Sequence, residues 1–292
     1  MKVIFVIFRN ITIKFRELTI RLDNQKRYLQ LMSKLPKEHR FLDFSDYGRP
    51  LARLIANSLK DTSLTPIHVT IGFIISGLIG IFFITKGYYW YSAFFLILKS
   101  VLDAADGELA RIKQQPSYIG RYFDSISDII LNALIFISIW QVVNTNVWIL
   151  VASFMGLQLQ GTLYNYYYTI LRNKLNGDKT SRVFEDKAPL ALIGEKQQNV
   201  NTFFFIYKLL YGTFDKVIYK LDKNAEMDGK IPYWLMTCIS TFGLGFQLLI
   251  ISALLVLGLI EFVLYFFMFY TVFVFIFIGI RKVFYRGNSK YV

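Results

Sequence analysis

Six long apolar stretches dominate this chain and fix the solvent in which it can fold. They run from Pro66 to Thr85, Tyr89 to Ile112, Tyr118 to Val143, Val147 to Leu171, Ile231 to Leu257 and Glu261 to Phe284. Crossing ~30 Å of hydrocarbon takes about 20 helical residues. Helices are favoured there because every backbone polar group must find a partner within the segment. The chain is therefore expected to be an all-α integral membrane protein with six transmembrane helices. Charged residues make up 18% of it, against ~25% in soluble domains, and the mean hydropathy is +0.42.

The net charge of +13 would suit a nucleic-acid partner, but its distribution points to a membrane surface instead. Thirteen Lys and Arg precede the first stretch, eleven lie between the fourth and fifth, and four follow from Arg281 onward. The connections after the first, third and fifth stretches hold only Lys86 between them. Arg111, Lys113 and Arg121 flank the turn between the second and third. The positive-inside rule then puts both termini in the cytoplasm, with no nucleic acid implied. Residues 1–64 read as a cytoplasmic segment and residues 65–292 as the membrane domain, with 174–230 a cytoplasmic loop. Residues 48–60 set Leu51, Leu54, Ile55 and Leu59 on one helix face and Arg49, Arg53 and Lys60 towards the other. Residues 202–223 repeat the pattern, so both segments are expected to be amphipathic helices on the cytoplasmic leaflet. Residues 174–200, with Gly177, Pro189 and Gly194, are expected to be irregular. The run Val3–Phe8, followed by Arg9, Lys14 and Arg16, is too short to span and lacks a small-residue cleavage site, so no signal peptide is expected. A single cysteine, Cys238, excludes an internal disulfide framework.

Chemistry concentrates in residues 102–128, LDAADGELARIKQQPSYIGRYFDSISD. Asp103 and Asp106 stand three apart, and Asp124 and Asp128 four apart, so each pair shares one helix face. A short connection around Pro116 would bring the two faces together. Ionised carboxylates at such positions cost several kcal/mol to bury and repel one another unless cations neutralise them. Oxygen-only ligands without nearby His or Cys favour Mg²⁺ or Mn²⁺ over zinc. Gly107 and Gly120 leave space for a close helix crossing or a phosphate. Arg111, one turn after Gly107, offers a fixed cation for such a phosphate.

These residues resemble the CDP-alcohol phosphotransferase family, whose pattern is D-x2-D-G-x2-A-R-x8-G-x3-D-x3-D. Asp103, Asp106, Gly107, Ala110, Arg111, Gly120, Asp124 and Asp128 meet every spacing. The resemblance implies two Mg²⁺ or Mn²⁺ ions on Asp103, Asp106, Asp124 and Asp128. It implies that Asp128 also serves as general base towards the acceptor hydroxyl. Gly107, Ala110, Arg111 and Gly120 would surround the CDP moiety of the donor. Family members are commonly homodimers, and the aromatic-rich last stretches could face a partner or lipid. Two departures stand out. The family's T-P-N-x-[IV]-T stretch reads Thr65-Pro66-Ile67-His68-Val69-Thr70, so Ile67 lacks the amide. Lys99, one turn before Asp103, is an unusual occupant and is expected to snorkel to the interface.

Within this resemblance a CDP-linked donor and an alcohol acceptor are the substrates. The sequence leans towards phosphatidyl transfer from CDP-diacylglycerol to a small alcohol in phospholipid biosynthesis, because GRYFDSISD lacks the His found beside the third Asp in many eukaryotic choline and ethanolamine enzymes. Head-group transfer from CDP-choline or CDP-ethanolamine to diacylglycerol is the alternative. Arg121 and Arg172, with Arg49, Arg53 and Arg182, could receive an acidic acceptor. An intramembrane prenyltransferase would carry a second acidic motif, and a cation-coupled transporter would show repeats or paired broken helices; neither signal is present in the sequence. A bacterial cytoplasmic membrane, with the site facing the cytoplasm, is the expected setting.

Overall fold

A computed structural model describes residue 35 and residues 39–174, 185–192, 194–228 and 231–288, all helix or connection without strands. The reading of Val3–Phe8 as no signal, and the positions of Gly177 and Arg182, lie outside the described residues. The helices are α1 (Arg49–Leu59), α2 (Pro66–Thr85), α3 (Tyr89–Ile112), α4 (Tyr118–Val143), α5 (Val147–Lys174), α6 (Gln197–Leu221), α7 (Tyr233–Ile239), α8 (Leu244–Val256), α9 (Ile260–Tyr270) and α10 (Val272–Asn288). A five-residue helical turn, Asn224–Asp228, lies between α6 and α7.

All six apolar stretches are helical, but they are not equally apolar. Four are long and hydrophobic enough to cross a membrane: α2, α4, α5 and Ile260–Phe284. A fifth counts if α7 and α8 form one span, since they are bent by 52° around the 3₁₀ turn Ser240–Phe242. The helix Tyr89–Ile112 falls short because Lys99, Asp103, Asp106, Glu108 and Arg111 crowd it from its middle onward. The chain is a multi-pass membrane protein with four or five spans by this measure.

Small residues set the close packing. Ser76, Gly77 and Gly80 are buried on α2. The Ser76 hydroxyl donates to the Phe95 carbonyl at 2.8 Å. A Cβ added at Gly77 would stand 3.0 Å from Leu131, so α2 lies tightly against both α3 and α4. This is how membrane helices gain contact without a hydrophobic drive. One apolar core joins Leu96, Phe136, Ile139, Leu248, Ile251 and Phe267, and a larger one joins Leu163, Tyr167, Leu235, Ile239 and Phe242. Large apolar side chains such as Trp90, Phe94, Trp148, Phe262 and Phe275 remain exposed around the outside, where lipid would cover them.

The helix α1 differs from the expected single apolar face. Ala52 and Ala56 are fully buried against α3, with Ile55 and Leu59 packed beside them. Leu51 and Leu54 point outward and are exposed. Arg49 turns inward, Nη1 to the buried Glu108 at 2.8 Å. The second amphipathic segment begins at Gln197, five residues before its expected start. Its buried residues Val200 and Phe204 pack on Tyr122 and Ile126 of α4, so it covers the bundle end as well as lying beside it. Its outer face carries the exposed Phe205 and Leu209.

Candidate active site

The turn between α3 and α4 is built to hold the aspartates in register. Gln114 adopts a left-handed conformation with φ of 53°, which reverses the chain within five residues. Ser117 caps α4, its hydroxyl accepting from the Gly120 amide at 2.8 Å. Glu195, arriving from the loop before α6, accepts from both the Ser117 hydroxyl and the Ile119 amide at 2.7 and 2.9 Å. A carboxylate at a helix N-terminus satisfies free amides and opposes the helix dipole.

Asp103, Asp106 and Asp124 each bring one carboxylate oxygen within 4.8 Å of the others. Asp106 also accepts from the buried Thr70 hydroxyl at 2.7 Å, which gives the last residue of Thr65–Thr70 a role that its motif position alone did not reveal. Asp124 Oδ1 is buried without a hydrogen-bond partner among the described residues. Three hard oxygen donors and one orphaned carboxylate oxygen fit a divalent cation of the Mg²⁺ or Mn²⁺ type. Asp128 lines the same pocket but stands outside this trio, its Oδ1 taking a hydrogen bond from Lys99 Nζ. Lys99 does not snorkel. It is 0% exposed, between Asp128 and the face of Phe73, because α4 brings a carboxylate to the inner side of α3.

A pocket of about 440 Å³ opens beside the aspartates. Of the residues expected around the donor, Gly107 and Arg111 line it, whereas Ala110 and Gly120 do not. A Cβ at Gly107 would meet only the Arg111 guanidinium, at 3.6 Å. Gly107 therefore leaves room on the pocket side and makes no close helix crossing. Gly120 is accounted for by its place in the α4 cap. Arg111 is held by Glu108 at 3.1 Å, and Glu108 also takes Arg49 and, at 3.8 Å, Arg53, so one buried carboxylate gathers three guanidiniums. Glu108 sits within the acidic motif, where neighbouring aspartates drew the attention.

Both arginines assigned to the acceptor line the pocket. Arg121 pairs with Glu185 at 2.7 Å and lies over the Tyr122 ring. Arg172 is 7% exposed, and its Nε and Nη2 have no hydrogen-bond partner among the described residues. The roof is α6, whose Tyr207, Tyr211 and Asp215 recur every four residues and face inward. Tyr211 donates to the Ser125 carbonyl at 2.9 Å. Burial raises the phenols of Tyr207 and Tyr211 above their usual range, keeping both as neutral donors. Burial and the nearby Glu185 push the Asp215 carboxyl up to about 7, partly offset by a hydrogen bond from Tyr207.

The family model for CDP-alcohol phosphatidyltransferase matches residues 63–214, from the start of α2 through most of α6. The chain belongs to this family. It is thus a transferase of phosphorus-containing groups that draws on a CDP-linked donor and an alcohol acceptor. The matched segment holds every residue of the acidic pattern and leaves out α1 and the last four helices. A search of curated proteins found no match, and neither did a search of solved structures.

Proposed function

We propose that the chain transfers a phosphatidyl group from CDP-diacylglycerol to a small alcohol, releasing CMP, in phospholipid biosynthesis. The observation that carries this reading is the meeting of Asp103, Asp106 and Asp124 from two helices beside a pocket that Asp128 and Arg111 also line. Divalent ions bound by the aspartates would neutralise the donor pyrophosphate and the departing CMP. Asp128 accepts the proton of the acceptor hydroxyl, whose oxygen attacks the phosphorus bearing the diacylglycerol while the bond from that phosphorus to the CMP oxygen breaks. Lys99 positions Asp128 by holding one carboxylate oxygen and leaving the other for the proton. Gly107 gives the donor room, and Arg111, ordered by Glu108, faces its phosphates.

The reading includes six membrane crossings, counting Tyr89–Ile112 as one whose polar half faces the site rather than lipid. It places both termini and the pocket on the cytoplasmic side, in a bacterial cytoplasmic membrane, as the Lys and Arg counts favour. The test is CMP release by purified protein in lipid with Mg²⁺, offering CDP-diacylglycerol and CDP-choline separately. CMP from CDP-diacylglycerol alone, lost in Asp128→Asn, is the expected result. CMP from CDP-choline with diacylglycerol would reverse the direction of transfer. Folded, metal-loaded protein that releases none from either would overturn the proposal.

A further inference from the structure

Four aspartates line the helical hairpin, but only three of them gather. Counted from the turn, Asp106 of α3 and Asp124 of α4 each stand six residues in, and Asp103 and Asp128 nine and ten. At about 1.5 Å per residue the second pair is level, roughly 14–15 Å from the turn. Backbone position thus sets out a site with four corners. Among the described residues, however, the carboxylate oxygens that meet are those of Asp103, Asp106 and Asp124. The fourth corner is held by Lys99, one turn deeper on α3, whose ammonium donates to Asp128 Oδ1. Lys99 is fully buried, and so is Phe73 of α2, whose ring centre lies 5.0 Å from the lysine nitrogen. Enclosed by three helices, this cation is a fixed part of the fold.

A second metal ion on the hairpin, as the family resemblance implies, would need the Asp128 carboxylate. The other acids along the pocket are engaged elsewhere: Asp46 with Arg49, Glu185 with Arg121, and Asp215 with the Tyr207 hydroxyl. An ammonium has three donors and no lone pair, so it supplies charge without coordinating a metal. Two cations on one carboxylate in a water-poor site repel with little screening. We infer that Lys99 takes the place of the second metal ion, so that this chain holds one divalent cation, on Asp103, Asp106 and Asp124, and keeps Asp128 free of metal. The ions of the proposed mechanism thereby reduce to one exchangeable cation and one built into the chain. A carboxylate bound to a divalent ion is a poor proton acceptor, whereas one held by an ammonium keeps its second oxygen for a proton. Only the assignment of Asp128 as base rests on the transferase reading.

The test is to count bound Mn²⁺ on the full chain in lipid, without any substrate, by equilibrium dialysis and electron paramagnetic resonance. Wild type should bind one ion per chain and give the spectrum of an isolated ion. Lys99→Met, close in length and uncharged, should bind two and give the broadened spectrum of a spin-coupled pair. Lys99→Met combined with Asp128→Asn should return to one, and Asp128→Asn alone should still bind one. Two ions in the wild type would overturn the inference, as would a single ion in folded Lys99→Met. So would loss of Mn²⁺ from Asp128→Asn, which would make Asp128 a ligand. Should Lys99→Met fail to fold, the wild-type count and Asp128→Asn still decide. One ion on protein that releases no CMP from any donor would keep the role of Lys99 and remove the transferase reading. Two ions on protein that releases CMP would do the reverse.

Discussion

Asp215 offers the sharpest physical test of the site's architecture. Its carboxyl is pushed from the ordinary 3.8 to about 7 by burial under the roof helix and by Glu185. Each tenfold step in proton affinity is worth about 1.4 kcal/mol, so the ionised form carries a penalty of about 4 kcal/mol in the folded protein. A raised carboxyl means that the folded state keeps a proton the unfolded chain gives up. Its contribution is therefore undiminished below pH ~4, is lost as pH rises towards 7, and is constant above that. Between pH 5 and pH 8 the loss amounts to about 2.5 kcal/mol. Asp215→Asn removes the titration and keeps the shape. The variant should gain thermal stability relative to wild type as pH rises, by about 5–10 °C in Tm between pH 5 and pH 8 for a chain of this size. Thermal unfolding of both proteins in the same detergent across that range reads the difference directly, since groups common to both cancel. A Tm difference that stays flat with pH would mean that Asp215 is hydrated rather than enclosed, and the roof would have to be redrawn.

Other consequences can be checked alongside. Asp124→Asn should abolish Mn²⁺ binding, measured by electron paramagnetic resonance, and should raise the Tm of metal-free protein by relieving repulsion with Asp103 and Asp106; undiminished binding would take Asp124 out of the metal site. Glu108→Gln removes the buried charge that pairs with Arg49, Arg53 and Arg111, leaving Arg49 only Asp46, and should cost about 3–5 kcal/mol, with Arg49→Met adding little on top; additive losses in that cycle would show that the pair is not coupled. Gly156→Ala would drive a methyl group into the Thr271 hydroxyl and to 3.1 Å from the Phe267 carbonyl, costing about 1–3 kcal/mol. Thr271→Ala should restore much of that loss, and failure to do so would assign the cost to the backbone contact.

The helical architecture and the acidic cluster were legible because each depends on local pattern. Hydropathy over twenty residues reports a helix in lipid whatever its neighbours, and carboxylates three or four apart share a face by geometry alone. Lys99 departs from its expectation because a lysine in an apolar run reads as snorkelling unless the facing helix is known. Asp128 supplies its partner from 29 residues away. The Arg121–Glu185 and Arg49–Glu108 pairs were hidden for the same reason, as each joins elements distant in sequence. The face of α1 split because alanines, weak in any hydrophobic reading, proved to be the buried contact. The polar stripe of α5 along the pocket, Gln158, Thr162, Asn165, Thr169 and Arg172, was readable in principle. Its glutamine, threonines and asparagine carry no charge, so only Arg172 drew notice.

The tight reversal at Gln114 has a consequence for assembly. All four aspartates belong to one helical hairpin, closed within 26 residues, whereas the α5 wall and the α6 roof are supplied later in the chain. Contacts that close short loops form before those that close long ones. The hairpin therefore gathers its negative charge while the rest of the bundle is still being made. A cation taken up at that stage would act as a folding partner before it acts in chemistry, and a cell short of the metal would be expected to lose the protein itself as well as its turnover.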